Sequence, residues 1–133
     1  SGNNFELIIE FKKTDAKEFG VKICNSPDGD ETTMVFYDTT EKKLKVDSTK
    51  SSSGRSSGSV ESAPLELGST EGLKLRIFVD KSIVEVFANS RQAIARHIFP
   101  ENENSTGVKV FSKNADTLIT KFESWQIAPS NPY

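Results

Sequence analysis

Apolar side chains recur at every second position along most of this chain. Phe5, Leu7, Ile9 and Phe11 alternate with Glu6, Ile8, Glu10 and Lys12. A period of two stacks four large side chains on one side of a pleated strand, whereas a helix would scatter them about its axis. The same alternation returns in Leu73-Lys74-Leu75-Arg76-Ile77-Phe78-Val79, which stops at Asp80-Lys81 and resumes at Ser82-Ile83-Val84-Glu85-Val86-Phe87. Two apolar runs joined by two residues read as a tight hairpin. Asn89-Ser90 marks a second tight turn, into the strand from Gln92 to Phe99. Further strands are expected at Phe19–Ile23, Thr32–Tyr37, Leu44–Asp47, Gly107–Phe111 and Thr117–Ile127, with turns at Asn25–Asp30, Asp38–Glu41 and Lys113–Asp116. No segment carries a helical period. The pattern predicts an all-β fold, an antiparallel two-sheet β-sandwich of about ten short strands.

The segment from Ser48 to Ser62 breaks the pattern. It is mostly serine, with Gly54 and Gly58, and Val60 is its only apolar residue. Too little apolar surface is available to offset the entropy of ordering, so a long mobile surface loop is expected over 48–62. Order is expected to return at Leu65-Glu66-Leu67. With 133 residues and no repeat, the chain reads as a single domain over 1–133. Ser1-Gly2-Asn3-Asn4 leads straight into a strand with no signal-peptide pattern, as expected of a domain taken from a longer protein. Seventeen basic and nineteen acidic residues give a net charge of -2, which offers nothing to neutralise phosphates and argues against a nucleic-acid partner. Apolar runs of a few residues fall far short of the roughly 20 needed to span a bilayer as a helix.

Catalytic chemistry finds few candidates. His97 is the only histidine and Cys24 the only cysteine, so nitrogen- or sulfur-ligated metal sites and activated serine or cysteine nucleophiles have almost nothing to draw on. Cys24 reads as a small side chain beside the core, and His97 as a surface or half-buried packing residue of its strand. Asp28, Asp30 and Glu31 surround a glycine turn, but their spacing is not that of a calcium loop and reads as a polar turn. No cofactor motif is present: Gly54 and Gly58 lack the lysine of a phosphate loop. Asp80 and Glu85 form the most conspicuous carboxylate pair. A turn aspartate accepts backbone hydrogen bonds, and Glu85 points away from the face that Val84 and Val86 bury, so the pair reads as structural. Asn104-Ser105-Thr106 fits a glycosylation sequon.

The stretch LKLRIFVDKSIVEVFANSRQAIARHIFP, Leu73 to Pro100, resembles the C-terminal β-sandwich module of glycoside hydrolase family 32, the invertases, inulinases and levanases. The family pattern there is roughly L-R-(apolar)-F-V-D-x-S-(apolar)-(apolar)-E-x-F, then a small-polar turn and an apolar strand ending on F-P or Y-P. Leu75, Arg76, Phe78, Val79, Asp80, Ser82, Val84, Glu85, Phe87, Phe99 and Pro100 match it. Leu44-Lys45-Val46-Asp47 resembles the family's L-x-V-D-R stretch, with Ser48 in place of the arginine and Arg55 as a partial substitute. Trp125 resembles the tryptophan of the family's closing strand.

That resemblance implies that chemistry sits on a separate N-terminal five-bladed β-propeller, whose W-M-N-D-P-N-G, R-D-P and E-C motifs do not occur here. No catalytic, cofactor or metal residue is carried over. Asp80, Ser82, Glu85 and Phe87 carry over as fold determinants of the hairpin. The implied role is an accessory module that packs against the propeller of an extracellular or periplasmic β-fructosidase-type enzyme. The alternatives are a self-sufficient carbohydrate-binding module, with Trp125, Tyr37 and Arg55 as contacts to a fructan or sucrose-type saccharide, and a protein-interaction domain that forms a homodimer.

Overall fold

A computed structural model describes residues 4–52, 58–80, 82–98 and 107–127. Ten strands follow in order: β1 (Asn4–Phe11), β2 (Glu18–Asn25), β3 (Thr33–Asp38), β4 (Lys43–Asp47), β5 (Val60–Pro64), β6 (Leu73–Asp80), β7 (Ile83–Ala88), β8 (Gln92–His97), β9 (Gly107–Lys113) and β10 (Ile119–Gln126). They form two five-stranded antiparallel sheets, a front sheet β10-β1-β6-β7-β8 and a back sheet β5-β4-β3-β2-β9. The fold is the expected all-β sandwich.

Alternation decides which side chains meet. Phe5, Leu7, Ile9 and Phe11 of β1 lie opposite Val79, Ile77, Leu75 and Leu73 of β6, and all eight are buried. Val84, Val86 and Ala88 of β7 extend this inner face. Across the sandwich, Phe19, Val21 and Ile23 of β2, Val35 and Tyr37 of β3, and Leu44 and Val46 of β4 complete the core. Phe11, Phe19 and Tyr37 pack edge to face, with centroids 5.4 and 6.0 Å apart.

The serine-rich segment departs from expectation. β5 begins at Val60, inside the span expected to be a loop, and pairs with β4 from Asp47↔Val60 to Lys43↔Pro64. Ser48 donates from both its amide and its Oγ to the Ser59 carbonyl (2.9 and 3.0 Å), and its Oγ accepts from the Ser59 amide (3.1 Å). Ser48, Ser51 and Ser52 are buried. Order here comes from backbone pairing and hydroxyl bonds, not from apolar burial. Gly58 is required by this approach, because a Cβ there would stand 1.9 Å from the Ser48 carbonyl oxygen. Arg55, the sequon at Asn104, Phe99, Pro100 and the tail from Ala128 lie outside the described residues.

The β6–β7 connection is two residues long, but its register differs by one from the reading of the sequence. Asp80 pairs with Ile83 and closes β6, while Ser82 lies in the turn, where its carbonyl accepts from the Ile98 amide (2.7 Å).

The two flanks of the sandwich differ. On one, β8 is laced to the β5 side: Arg96 donates to Ser59 Oγ (2.6 Å), Gln92 to the Pro64 carbonyl (2.8 Å) and Arg91 to the Glu66 carbonyl (2.9 Å). On the other, Val110 of β9 and Phe122 of β10 point inward by register, opposite Val21 and Ile9, yet remain 36% and 49% exposed.

These positions set the energetic hierarchy. Ile77→Ala, in the fully buried centre of β6, is expected to cost about 2–5 kcal/mol in denaturant-induced unfolding. Ile83→Ala, exposed on β7, is expected to change stability by about 0.5 kcal/mol or less.

Candidate interaction face on the front sheet

Strand register assembles the candidate site on the outer face of the front sheet. Glu6 of β1 lies between Trp125 of β10 and Phe78 of β6, and Phe78 lies opposite Glu85 of β7. One step along, Ile8 stands beside Arg76, and Arg76 opposite Phe87. These are the alternate positions that the core leaves over, so the residues that bury β1, β6 and β7 also determine this face.

Arg76 ties the face together. Its Nε donates to Glu6 Oε2 at 2.6 Å, and its guanidinium lies 5.0 Å from the Phe78 ring centroid, a cation–π distance. Phe78 meets Phe87 edge to face at 6.0 Å. Ile8, Glu10, Lys74, Arg76, Phe78, Phe87 and Ser90 line an open groove of about 520 Å³. Trp125, Ile83 and Phe87 are 43%, 41% and 40% exposed. An apolar floor ringed by fixed charges suits a protein surface or the stacking of a sugar ring.

The Ser90 end of the groove is braced by a hydrogen-bond network. Asn89 and Ser90 take positive φ (52° and 55°), and the Arg91 amide donates to the Ala88 carbonyl, which closes the turn. Asn89 Oδ1 accepts from the Lys74 amide, and Asn89 Nδ2 donates to the Gly72 carbonyl and to Glu71. Glu71 also accepts from both terminal nitrogens of Arg91 (2.7 and 2.9 Å) and from the Gly68 amide. The Arg91 bonds above all, then Gly68 and Asn89, hold the Glu71 carboxyl well below the usual carboxylate range.

The residues singled out from sequence fall in different places. Trp125 stands on the outer face beside Glu6. Tyr37 does not fit a saccharide contact: it is buried, and its hydroxyl donates to the Leu65 carbonyl at 2.7 Å, because its strand position points into the core. Arg55 lies outside the described residues. Of the four hairpin residues taken as fold determinants, Asp80, Glu85 and Phe87 face outward and only Ser82 belongs to the turn. Asp80 and Glu85 are exposed on an open sheet, away from the enclosed setting in which a glycosidase acid works. The Arg76–Glu6 pair was invisible in sequence, since it needs the register of two strands 70 residues apart.

Elsewhere, the turn carboxylates serve the backbone. Asp28 accepts from Ser26 Oγ and from the Asp30 amide, which draws its carboxyl below its ordinary value. Among the described residues, no group of three His, Cys, Asp or Glu is placed to hold a metal ion. Cys24 is buried; burial, helped by the Glu31 carboxylate, pushes its thiol up to about 12, far from a reactive thiolate at neutral pH.

Comparison with known proteins adds three findings. The model of the family described as "Glycosyl hydrolases family 32 C terminal" matches residues 1–126. Sucrose-6-phosphate hydrolase of Staphylococcus xylosus is 32% identical over 125 residues, covering 92% of this chain and 24% of that protein. The crystal structure of exo-inulinase from Aspergillus awamori superposes with a TM-score of 0.85 at 29% identity, over 96% of this chain and 26% of that one. The chain thus spans about a quarter of the length of these relatives. Carbohydrate binding module CBM66 from Bacillus subtilis, at 10% identity and a TM-score of 0.65, shares the fold over 92% of this chain and 74% of its own.

The Glu71 network predicts a pH signature. A carboxyl whose folded value lies below its unfolded value of 4.5 stabilises fully above that pH, and the contribution fades as pH falls toward the folded value. The melting-temperature difference between wild type and Glu71→Gln is therefore expected to be constant from pH 7 to about 5.5 and to shrink steadily below about 4.5. A pH-independent difference would show that the carboxylate's charge is not what matters.

Proposed function

Because the chain belongs to glycosyl hydrolase family 32, as that family's C-terminal domain, we propose that it is a non-catalytic accessory module of a fructan- or sucrose-hydrolysing enzyme, packing against and stabilising a catalytic β-propeller. The observation that carries this reading is coverage: nearly the whole chain aligns with about a quarter of proteins named for hydrolase or inulinase activity. Three quarters of such a protein is available to hold the active site. In support, Glu6 is committed to Arg76, and Asp80 and Glu85 are exposed on an open sheet. The sandwich would add rigidity to its partner by burying surface that each leaves open.

The test is to prepare the parent enzyme with and without this domain. Removal is expected to lower the melting temperature of the catalytic part by about 5 °C or more, and the isolated domain is expected to release no fructose from sucrose, inulin or levan. Fructose release by the domain alone, or an unchanged catalytic part after its removal, would sink the reading.

A second reading, a self-sufficient carbohydrate-binding module, draws on Trp125. Its indole is exposed on the sheet beside Glu6, in a fold shared with a carbohydrate-binding module. Calorimetric titration with inulin- and levan-type oligosaccharides decides it. Saturable binding abolished by Trp125→Ala supports this reading, and no heat at millimolar sugar removes it.

A further inference from the structure

We propose that the groove between β1, β6 and β7 on the outer face of the front sheet is a saccharide subsite, in which a neutral sugar ring stacks on Phe87 while Arg76 and Glu6 hydrogen-bond its hydroxyls. This rests on the carbohydrate-binding reading and gives it a place and a ligand chemistry.

A sugar ring has an apolar C–H side and a rim of hydroxyls. It needs an exposed aromatic surface, donors and acceptors already held in place, and a cleft without a net charge that would favour ions. The front groove supplies all three. Phe87 leaves 40% of its surface exposed and is held edge to face against Phe78 at 6.0 Å. Arg76 keeps 57% of its side chain exposed while its Nε is bonded to Glu6 Oε2. The guanidinium is thus fixed through one nitrogen, and its two terminal nitrogens have no hydrogen-bond partner among the described residues. A planar fork of this kind can span two adjacent hydroxyls. The charges of the groove cancel, because Arg76 is paired with Glu6 and Lys74 stands opposite Glu10. Its volume, about 520 Å³, lies within the range of small-ligand sites, about 300–1,000 Å³. Glu6 separates Phe78 from Trp125, which places the indole about 10 Å from Phe78 by two strand spacings, as the next platform for a second ring.

The other open surfaces each lack one of these elements. On the back sheet, the groove beside Lys22, Met34 and Asp47 holds about 170 Å³, too little for a ring. The outward ring of Phe111 is already covered, by buried Phe36 at 5.9 Å and by Lys22. The β9–β10 flank is roomier, about 640 Å³, and exposes Val110, Leu118 and Phe122. Val110 and Leu118 are aliphatic, however, and Phe122 points inward by register. Lys12 and Lys13 stand there with one carboxylate, Asp116, so the flank groove is cationic and suits a neutral ligand less well.

The test is titration of this chain with an inulin-type tetrasaccharide, followed by calorimetry and by amide NMR. The amide signals of residues 74–78 and 85–90 and the Trp125 indole are expected to shift together and to saturate. Phe87→Ala, and separately Arg76→Lys, which keeps the charge but not the fork, are each expected to weaken binding about tenfold. Both are expected to move the melting temperature by about 5 °C or less; should either fail to fold, the wild-type shift map decides without it. If Trp125→Ala weakens binding while the groove signals stay still and the groove variants bind as wild type does, this inference falls and the carbohydrate-binding reading stands. If the wild-type chain shows neither heat nor shifts at millimolar sugar, both fall together. Sucrose and its 6-phosphate are expected to bind within about twofold of each other. A phosphate ester that binds about tenfold tighter or more would overturn the neutral ligand.

Discussion

The pairing of β1 with β6 governs the rest of the molecule. Four inward side chains of each strand meet in register at the centre of the front sheet, from Phe5 beside Val79 to Phe11 beside Leu73. Side chains alternate with a period of two, so a slip of one residue would drive Glu6, Glu10, Lys74 and Arg76 into the core. Burying even one unpaired charge costs several kcal/mol, which leaves a single register open. That register also sets Arg76 against Glu6 and Phe78 on the outside. Core and candidate interface are two sides of one alternation, and neither can be altered by a frame shift without destroying the other.

How much of this was legible in the sequence follows from what each part depends on. The β6–β7 hairpin, the inward set of β1 and the turn before Lys43 rest on local alternation and turn residues, and all three were readable. β5 was not. It is an edge strand whose residues Val60, Glu61, Ser62, Ala63 and Pro64 are half-buried or exposed, so no apolar period announces it, and its order comes from a ladder to β4 and from Ser48–Ser59 hydroxyl bonds. Tyr37 was misplaced for a related reason. In a strand rich in large residues on both sides, Met34 and Phe36 compete with Val35 and Tyr37 for the core, and the register turns Tyr37 inward, where its ring meets Phe19 and its hydroxyl reaches the Leu65 carbonyl. The Glu71–Asn89–Arg91 network joins two loops, and spacing carries no trace of it.

The ion pair at the centre of the front face contributes modestly to stability, because Arg76 keeps more than half of its side chain in water and exposed pairs are worth about 0–1 kcal/mol. Its larger effect is geometric. Held by Glu6, the guanidinium lies over Phe78, and Phe78 in turn braces Phe87. The face thus presents aromatic side chains in fixed orientations, which lowers the entropic cost of any contact made there. The back sheet reaches the same rigidity by closing its aromatics off.

The order of strands in the front sheet has a consequence for how the molecule comes into being. Among the ten described strands the first lies between the sixth and the tenth, with Phe5 paired to both Val79 and Gln126. The back sheet is different: β2, β3, β4 and β5 follow one another as neighbours and need only β9 to be complete. During vectorial synthesis the meander can collapse while β1 waits, its apolar side bare, for β6 some seventy residues downstream and for β10 farther still. Pairings over such distances are slow to form. The front sheet therefore closes later than the back-sheet meander, and a domain that lacks β10 presents a ready edge for aggregation.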